Sequence, residues 1–215
     1  MSLENTVTYT SQNTYSTLNS LGIRTRNIWL VCHGLGYLSK FFINYFKELD
    51  TEENFIIAPQ APSKYYQDKA FKYVGASWLT KENTALETEN VLNYMDAVYN
   101  KEVKPHLDSN VQLILFGYSQ GVSIISRWAA KRKINCDKLI FHSGSIPNEL
   151  KKEDFDYLNP TCDVYYIYGT RDKYINEDRI ATESKKGSDL FGSSIKFLPF
   201  DGIHEVNTSL LKDLS

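Results

Sequence analysis

Residues 111–123 read VQLILFGYSQGVS. The opening run, VQLILFG, is apolar on both faces of an extended chain, as in a strand covered on both sides of a sheet. The continuation, SQGVSIISRWAAKRK (119–133), reads as a helix. At the junction a serine stands between two glycines: Gly117-Tyr118-Ser119-Gln120-Gly121. So sharp a strand-to-helix turn needs glycine on both flanks, because a Cβ there would meet neighbouring backbone. It presents the serine hydroxyl at the carboxyl end of a strand, where open α/β sheets bind ligands. The helix that follows directs its N-terminus at the same point and favours negative charge there.

Outward from this stretch, strand-length apolar runs alternate with helical segments. NIWLVCH (27–33), NFIIAP (54–59), KLIFHSG (138–144), DVYYIYG (163–169) and SIKFLPF (194–200) read as strands. SKFFINYFKELD (39–50) reads as a helix with Ser39 as its N-cap and Phe41, Phe42, Tyr45, Phe46 and Leu49 on one face. A long helix is expected from about Glu82 to Lys104, stopped by Pro105. VTYT and TYSTLN near the start read as a hairpin, and residues 60–80 as an irregular, aromatic stretch. The pattern is that of an α/β fold with a mostly parallel sheet and helices on both faces. No linker, repeat or low-complexity tract divides the 215 residues, so one domain, 1–215, is expected. Connections after residue 144 are short and leave no room for a large cap domain.

The formal net charge is −2, from 24 Lys+Arg and 26 Asp+Glu, which argues against a nucleic-acid partner. Cys32, Cys136 and Cys162 form no CxxC pair, so neither a metal site nor a disulfide framework is expected. The polar N-terminal segment holds no secretory h-region and no later stretch suits stable membrane insertion; a cytoplasmic location is the expectation.

A serine hydroxyl needs a base to take its proton and an acid to orient that base. In an arrangement of this kind the partners follow as Ser, then Asp or Glu, then His, each at a strand's carboxyl end. Asp172 follows DVYYIYG, and His204 follows SIKFLPF. Asp201 is the alternative acid. His33 is expected to brace the turn HGLG, His142 to be structural, and His106 to face solvent. Two amides should face the developing oxyanion. One is that of Gln120. The other comes from the loop His33-Gly34-Leu35-Gly36, with Leu35 first and Gly36 as the alternative, and Gly34 and Gly36 letting substrate approach the backbone.

HGLG, APQAP, SW, GYSQG, SGSIP, YGTRD and HEV, in this order, resemble the phospholipase/carboxylesterase family, which includes the acyl-protein thioesterases. The resemblance runs from about residue 27 to the end and falls at every site-bearing loop. It implies an α/β-hydrolase without a large lid and without cofactor or metal, acting on a small-molecule carboxylic ester or thioester. Ser119 matches the family's nucleophile, Asp172 and His204 its partners, Leu35 and Gln120 its amide donors, and Trp78 its tryptophan near the acyl groove. Two positions depart from the pattern: Val122 replaces a second glycine, and Tyr168 replaces a histidine. The aromatic load and absent cap suggest a shallow groove for short to medium acyl chains. The other reading is a hydrolase-fold binding module with little turnover.

Overall fold

The computed structural model describes residues 3–108 and 110–215; Met1 and Ser2, at the head of the polar N-terminal segment, and Ser109 lie outside it. Seven strands form one sheet in the order β1-β3-β2-β6-β7-β8-β9. They are β1 Tyr15–Leu18, β2 Asn27–Cys32, β3 Asn54–Pro59, β6 Gln112–Tyr118, β7 Lys138–His142, β8 Asp163–Gly169 and β9 Ile195–Phe200. Strand β1 is antiparallel to β3 and every other pair is parallel. From β2 the chain moves one way, to β3; from β6 it moves the other way, through β7, β8 and β9. The order therefore reverses between β2 and β6, the place where the loops of an open sheet part and leave a crevice. The register sets Cys32 beside Gly117, Tyr118 beside His142 and Gly169 beside Phe200. The loops carrying residues 33–36, 119, 143–146, 170–172 and 201–204 thus leave along one edge.

Alternate residues of each strand enter separate cores, the period-2 consequence of extended backbone. Ile28, Leu30, Leu113 and Leu115 pack beneath helices α2 (Thr84–Glu102), α3 (Gln120–Arg132) and α4 (Glu177–Phe191). Trp29, Val31, Ile114 and Phe116 pack on the opposite face with α1 (Ser39–Phe42) and α5 (Thr208–Asp213). Among the described residues no helix is long and apolar enough to cross a membrane.

Five local expectations are corrected. Residues 7–10 are exposed and form no strand, so there is no N-terminal hairpin; Tyr15–Leu18 instead pairs with the otherwise open edge of β3. The 60–80 stretch is not irregular. It folds into an antiparallel arm of β4 (Ser63–Tyr66) and β5 (Val74–Ser77). The helix at 39–50 is one short turn, followed by a 3₁₀ turn at Ile43–Phe46. Ser39 is its first residue rather than its cap: the Ser39 amide donates to Gln60 Oε1 at 2.9 Å, so a side chain from another loop terminates the helix. Phe41, expected on the buried face, is 61% exposed.

Asn54 holds the amino end of the sheet together. Its Oδ1 accepts from Asn27 Nδ2 at 3.0 Å and from the buried Trp29 Nε1 at 2.9 Å. The carboxyl edge is braced by two fully buried histidines. His33 Nε2 accepts from the Ala61 amide at 3.1 Å, so Nδ1 carries the proton and donates to the Gly34 carbonyl at 2.8 Å. His142 Nε2 accepts from the Asn207 amide at 3.1 Å, and Nδ1 reaches Ser143 Oγ at 3.1 Å. Burial pushes His33 down from 6.5 to about 4 and His142, with a smaller contribution from nearby His204, to about 3.

Two predictions follow from these groups. Asn54→Leu strands two buried donors and is expected to cost about 2–4 kcal/mol, read as a lower urea midpoint; an unchanged midpoint contradicts it. For the histidines, the unfolded chain binds more protons than the folded one below pH 6.5. Their stabilisation is complete above that pH. It is lost as pH falls towards 4, at up to about 1.4 kcal/mol per pH unit per ring. The urea midpoint should drop between pH 7 and pH 5, and drop less in His142→Gln. A midpoint that is flat over that window would refute the account.

Candidate active site

Ser119 joins β6 to α3 with φ 53° and ψ −116°, a backbone conformation that residues with a Cβ rarely adopt. Its amide donates to the His142 carbonyl at 2.8 Å. The flanking glycines are there because of contact. A Cβ on Gly117 would lie 2.7 Å from the Gly121 carbonyl oxygen, and one on Gly121 would overlap the Cys32 carbonyl. A third glycine, Gly144 after β7, faces the Ser119 carbonyl just as closely.

The loops after β8 and β9 bring the other two residues in. His204 Nε2 lies 3.0 Å from Ser119 Oγ, and its Nδ1 lies 2.6 Å from Asp172 Oδ2. A carboxylate only accepts, so Nδ1 donates to it and Nε2 is left to accept from the hydroxyl. The Asp172 side chain is buried, and its Oδ1 accepts from the Tyr174 amide at 2.8 Å. The His204 ring sits between two tyrosines, with ring centres 5.3 Å away at Tyr118 and 5.0 Å away at Tyr174. Tyr118 also donates its hydroxyl to the His204 carbonyl at 3.0 Å. The alternative acid, Asp201, points into solvent and pairs with Arg171 at 2.7 Å. His106 is exposed.

The loop after β2 lies directly against the turn: a Cβ on Gly34 would come within 3.1 Å of Ser119 Cβ. Of the two candidate amides in this loop, that of Gly36 is already engaged, donating to the Ala76 carbonyl at 2.8 Å. The amides of Leu35 and Gln120 make no hydrogen bond among the described residues. The Gly36 carbonyl is taken as well, by Gln67 Nε2 at 2.9 Å, so Gly36 is a fastening point for the β4–β5 arm.

Trp78 requires a correction. It does not line an open groove; it is fully buried, donates Nε1 to the His33 carbonyl at 2.8 Å and lies against the His33 ring. Its role is to hold the loop that carries Gly34 and Leu35. Sequence reasoning also missed the Gln120 side chain. Gln120 Oε1 accepts from the Trp78 amide at 2.9 Å and Nε2 donates to the Leu79 carbonyl at 2.8 Å, which ties the end of the arm to the start of α3. A polar side chain one residue past the serine was the only available signal. Among the described residues no cluster of three or more His, Cys, Asp or Glu could hold a metal ion.

This geometry can be set beside known proteins. Sequence comparison with curated proteins gives no match. Among solved structures, the chain resembles Zea mays acyl-protein thioesterase 2, with TM-score 0.69 and 13% identity over 94% of this chain and 96% of that one. Esterase PE8 gives TM-score 0.67 and 17% identity, over 95% and 100% of the two chains. A phospholipase/carboxylesterase from Dyadobacter fermentans DSM 18053 gives 0.66 and 15%, over 96% and 97%. At such identities the likeness concerns the fold, an α/β-hydrolase. The model of the phospholipase/carboxylesterase family matches residues 13–214, nearly the whole sequence, and the chain belongs to that family.

Proposed function

We propose that this protein is a serine hydrolase of carboxylic esters or thioesters, working through an acyl-enzyme on Ser119. The observation that carries the reading is the unbroken relay from Asp172 through His204 to Ser119, at 2.6 Å and 3.0 Å. In the proposed mechanism Ser119 Oγ attacks the substrate carbonyl while His204 Nε2 takes the hydroxyl proton. Asp172 keeps the proton on Nδ1 and stabilises the imidazolium as it forms. The Leu35 and Gln120 amides, otherwise unengaged among the described residues, receive the oxyanion. His204 then protonates the departing alcohol or thiol, and water repeats the sequence to release the acid.

The acyl chain is proposed to lie on the side of the β4–β5 arm. A groove of about 420 Å³ there is bounded by Leu38, Phe41, Tyr73 and Val74, with Lys40, Gln67 and Lys72 also on its walls. Its open walls, polar as well as aromatic, are proposed to favour short to medium acyl chains.

Ser119→Ala is expected to lower turnover of p-nitrophenyl butyrate by roughly 10⁴-fold or more and to abolish labelling by a fluorophosphonate probe, with the urea midpoint retained. Wild-type turnover in the variant, or an unlabelled Ser119 in the native protein, contradicts the reading. Across p-nitrophenyl esters of two to sixteen carbons, kcat/KM should peak by about eight carbons; a steady rise to sixteen would overturn the groove assignment.

A further inference from the structure

A second cavity, of about 670 Å³, lies on the other side of the serine, between α3, the loop after β7 and α4. Its walls include Ser123 and Arg127 of α3, Ser145 and Ile146, Tyr174, and Thr182 of α4. Three of these tie it to the reacting centre. Tyr174 is also the ring that sits 5.0 Å from His204. Ser123 is one helical turn beyond Ser119, and Ser145 follows the glycine that abuts the Ser119 carbonyl.

Its charges are matched. Arg127 Nε pairs with Glu149 at 2.6 Å. The fully buried Glu183 takes Arg179 at 3.3 Å and Lys186 at 3.2 Å on Oε1, and the Ile146 amide at 2.9 Å on Oε2. Asp178, on the same wall, brings the sum to three cations and three carboxylates. Each of the three cations already has a carboxylate partner, which an anionic ligand would have to displace. A hydrocarbon would cover hydroxyls and charged groups without replacing their water. An uncharged group rich in hydroxyls, each able to donate and accept, suits such a wall.

The reaction fixes which part of a substrate reaches it. The departing oxygen must lie within reach of His204 Nε2 to be protonated, so the leaving group lies on the imidazole's side, whereas the acyl chain takes the arm side. Resting on the hydrolase reading above, we propose that this cavity binds the alcohol portion of the substrate, and that this portion is an uncharged polyol of glycerol or sugar type.

The test holds the acyl group constant and varies the alcohol: ethyl, octyl, glyceryl and glucosyl butyrate, and the butyrate ester of glycolic acid, each rate divided by its hydroxide-catalysed rate. The glyceryl or glucosyl ester should exceed the ethyl ester in kcat/KM by about tenfold or more, the worth of one or two added hydrogen bonds. Thr182→Trp, which fills the cavity, should bring that ratio towards one, and Ser145→Ala should lower it. A native ratio near one, a preference for the octyl or glycolate ester, or a ratio that survives both variants overturns the inference while p-nitrophenyl butyrate is still cleaved. If no ester is cleaved and the fluorophosphonate leaves Ser119 unlabelled, the hydrolase reading fails, and this inference with it.

Discussion

Ser119 occupies a left-handed backbone conformation that costs about 1–3 kcal/mol for a residue with a Cβ, and much of the surrounding structure serves to hold it there. Three glycines, Gly117, Gly121 and Gly144, close the turn, so that the Gly121, Cys32 and Ser119 carbonyls can approach where a methyl would not fit. The Ser119 amide is then tied to β7 through the His142 carbonyl at 2.8 Å. The His142 ring accepts from the Asn207 amide at 3.1 Å, and the Asn207 side chain caps α5 by accepting from Leu210 at 3.0 Å. A single neutral ring therefore couples the serine's turn to the segment just beyond His204. That coupling requires an unprotonated nitrogen, which is why burial of this histidine matters to the geometry of the relay.

His33 does the equivalent work on the other side. Its ring grips the Ala61 amide, its carbonyl receives Trp78, and the loop between them carries the Leu35 amide. The arm is fastened to this loop by Gly36 at both its amide and its carbonyl. Removing the proton acceptor on His33 would loosen the loop that carries Leu35, whereas removing that on His142 would loosen the segment just beyond His204.

What could be read from the sequence was what depends on local pattern. Strands covered on both faces are continuous apolar runs, so β2, β3, β6, β7 and β8 stood out, and residues at their carboxyl ends could be sorted by chain order. This brought Ser119, Asp172 and His204 together on paper, and their hydrogen bonds are present in the fold. Pairings and fastenings between distant segments were not legible. Tyr15–Leu18 has no local partner and is ordered by the edge of β3. The arm's strand β4 is exposed along its whole length, so it carries no burial pattern to read. Leu35 ranked ahead of Gly36 as amide donor, but what separates them, the Ala76 carbonyl that engages the Gly36 amide, comes from a distant segment. Trp78 was expected at a groove because it matches the family's tryptophan there, yet its Nε1 needs a buried acceptor and finds it in the His33 carbonyl.

Helix α3 divides the space above the sheet. From its first turn Gln120 reaches across to residues 77–79 and holds the arm; from its next turns Ser123 and Arg127 face the other cavity. The relay stands between them, with Gly34 against Ser119 on one flank and the Tyr174 ring against His204 on the other. Val122 shows how far the boundary itself tolerates change. A branched side chain sits there, and it fits because Gly144 carries no Cβ, which would lie 2.6 Å from Val122 Cγ2. A methyl group at Gly117 or Gly144 would press on the serine's turn itself, on the Gly121 carbonyl from Gly117 and on the Ser119 carbonyl from Gly144.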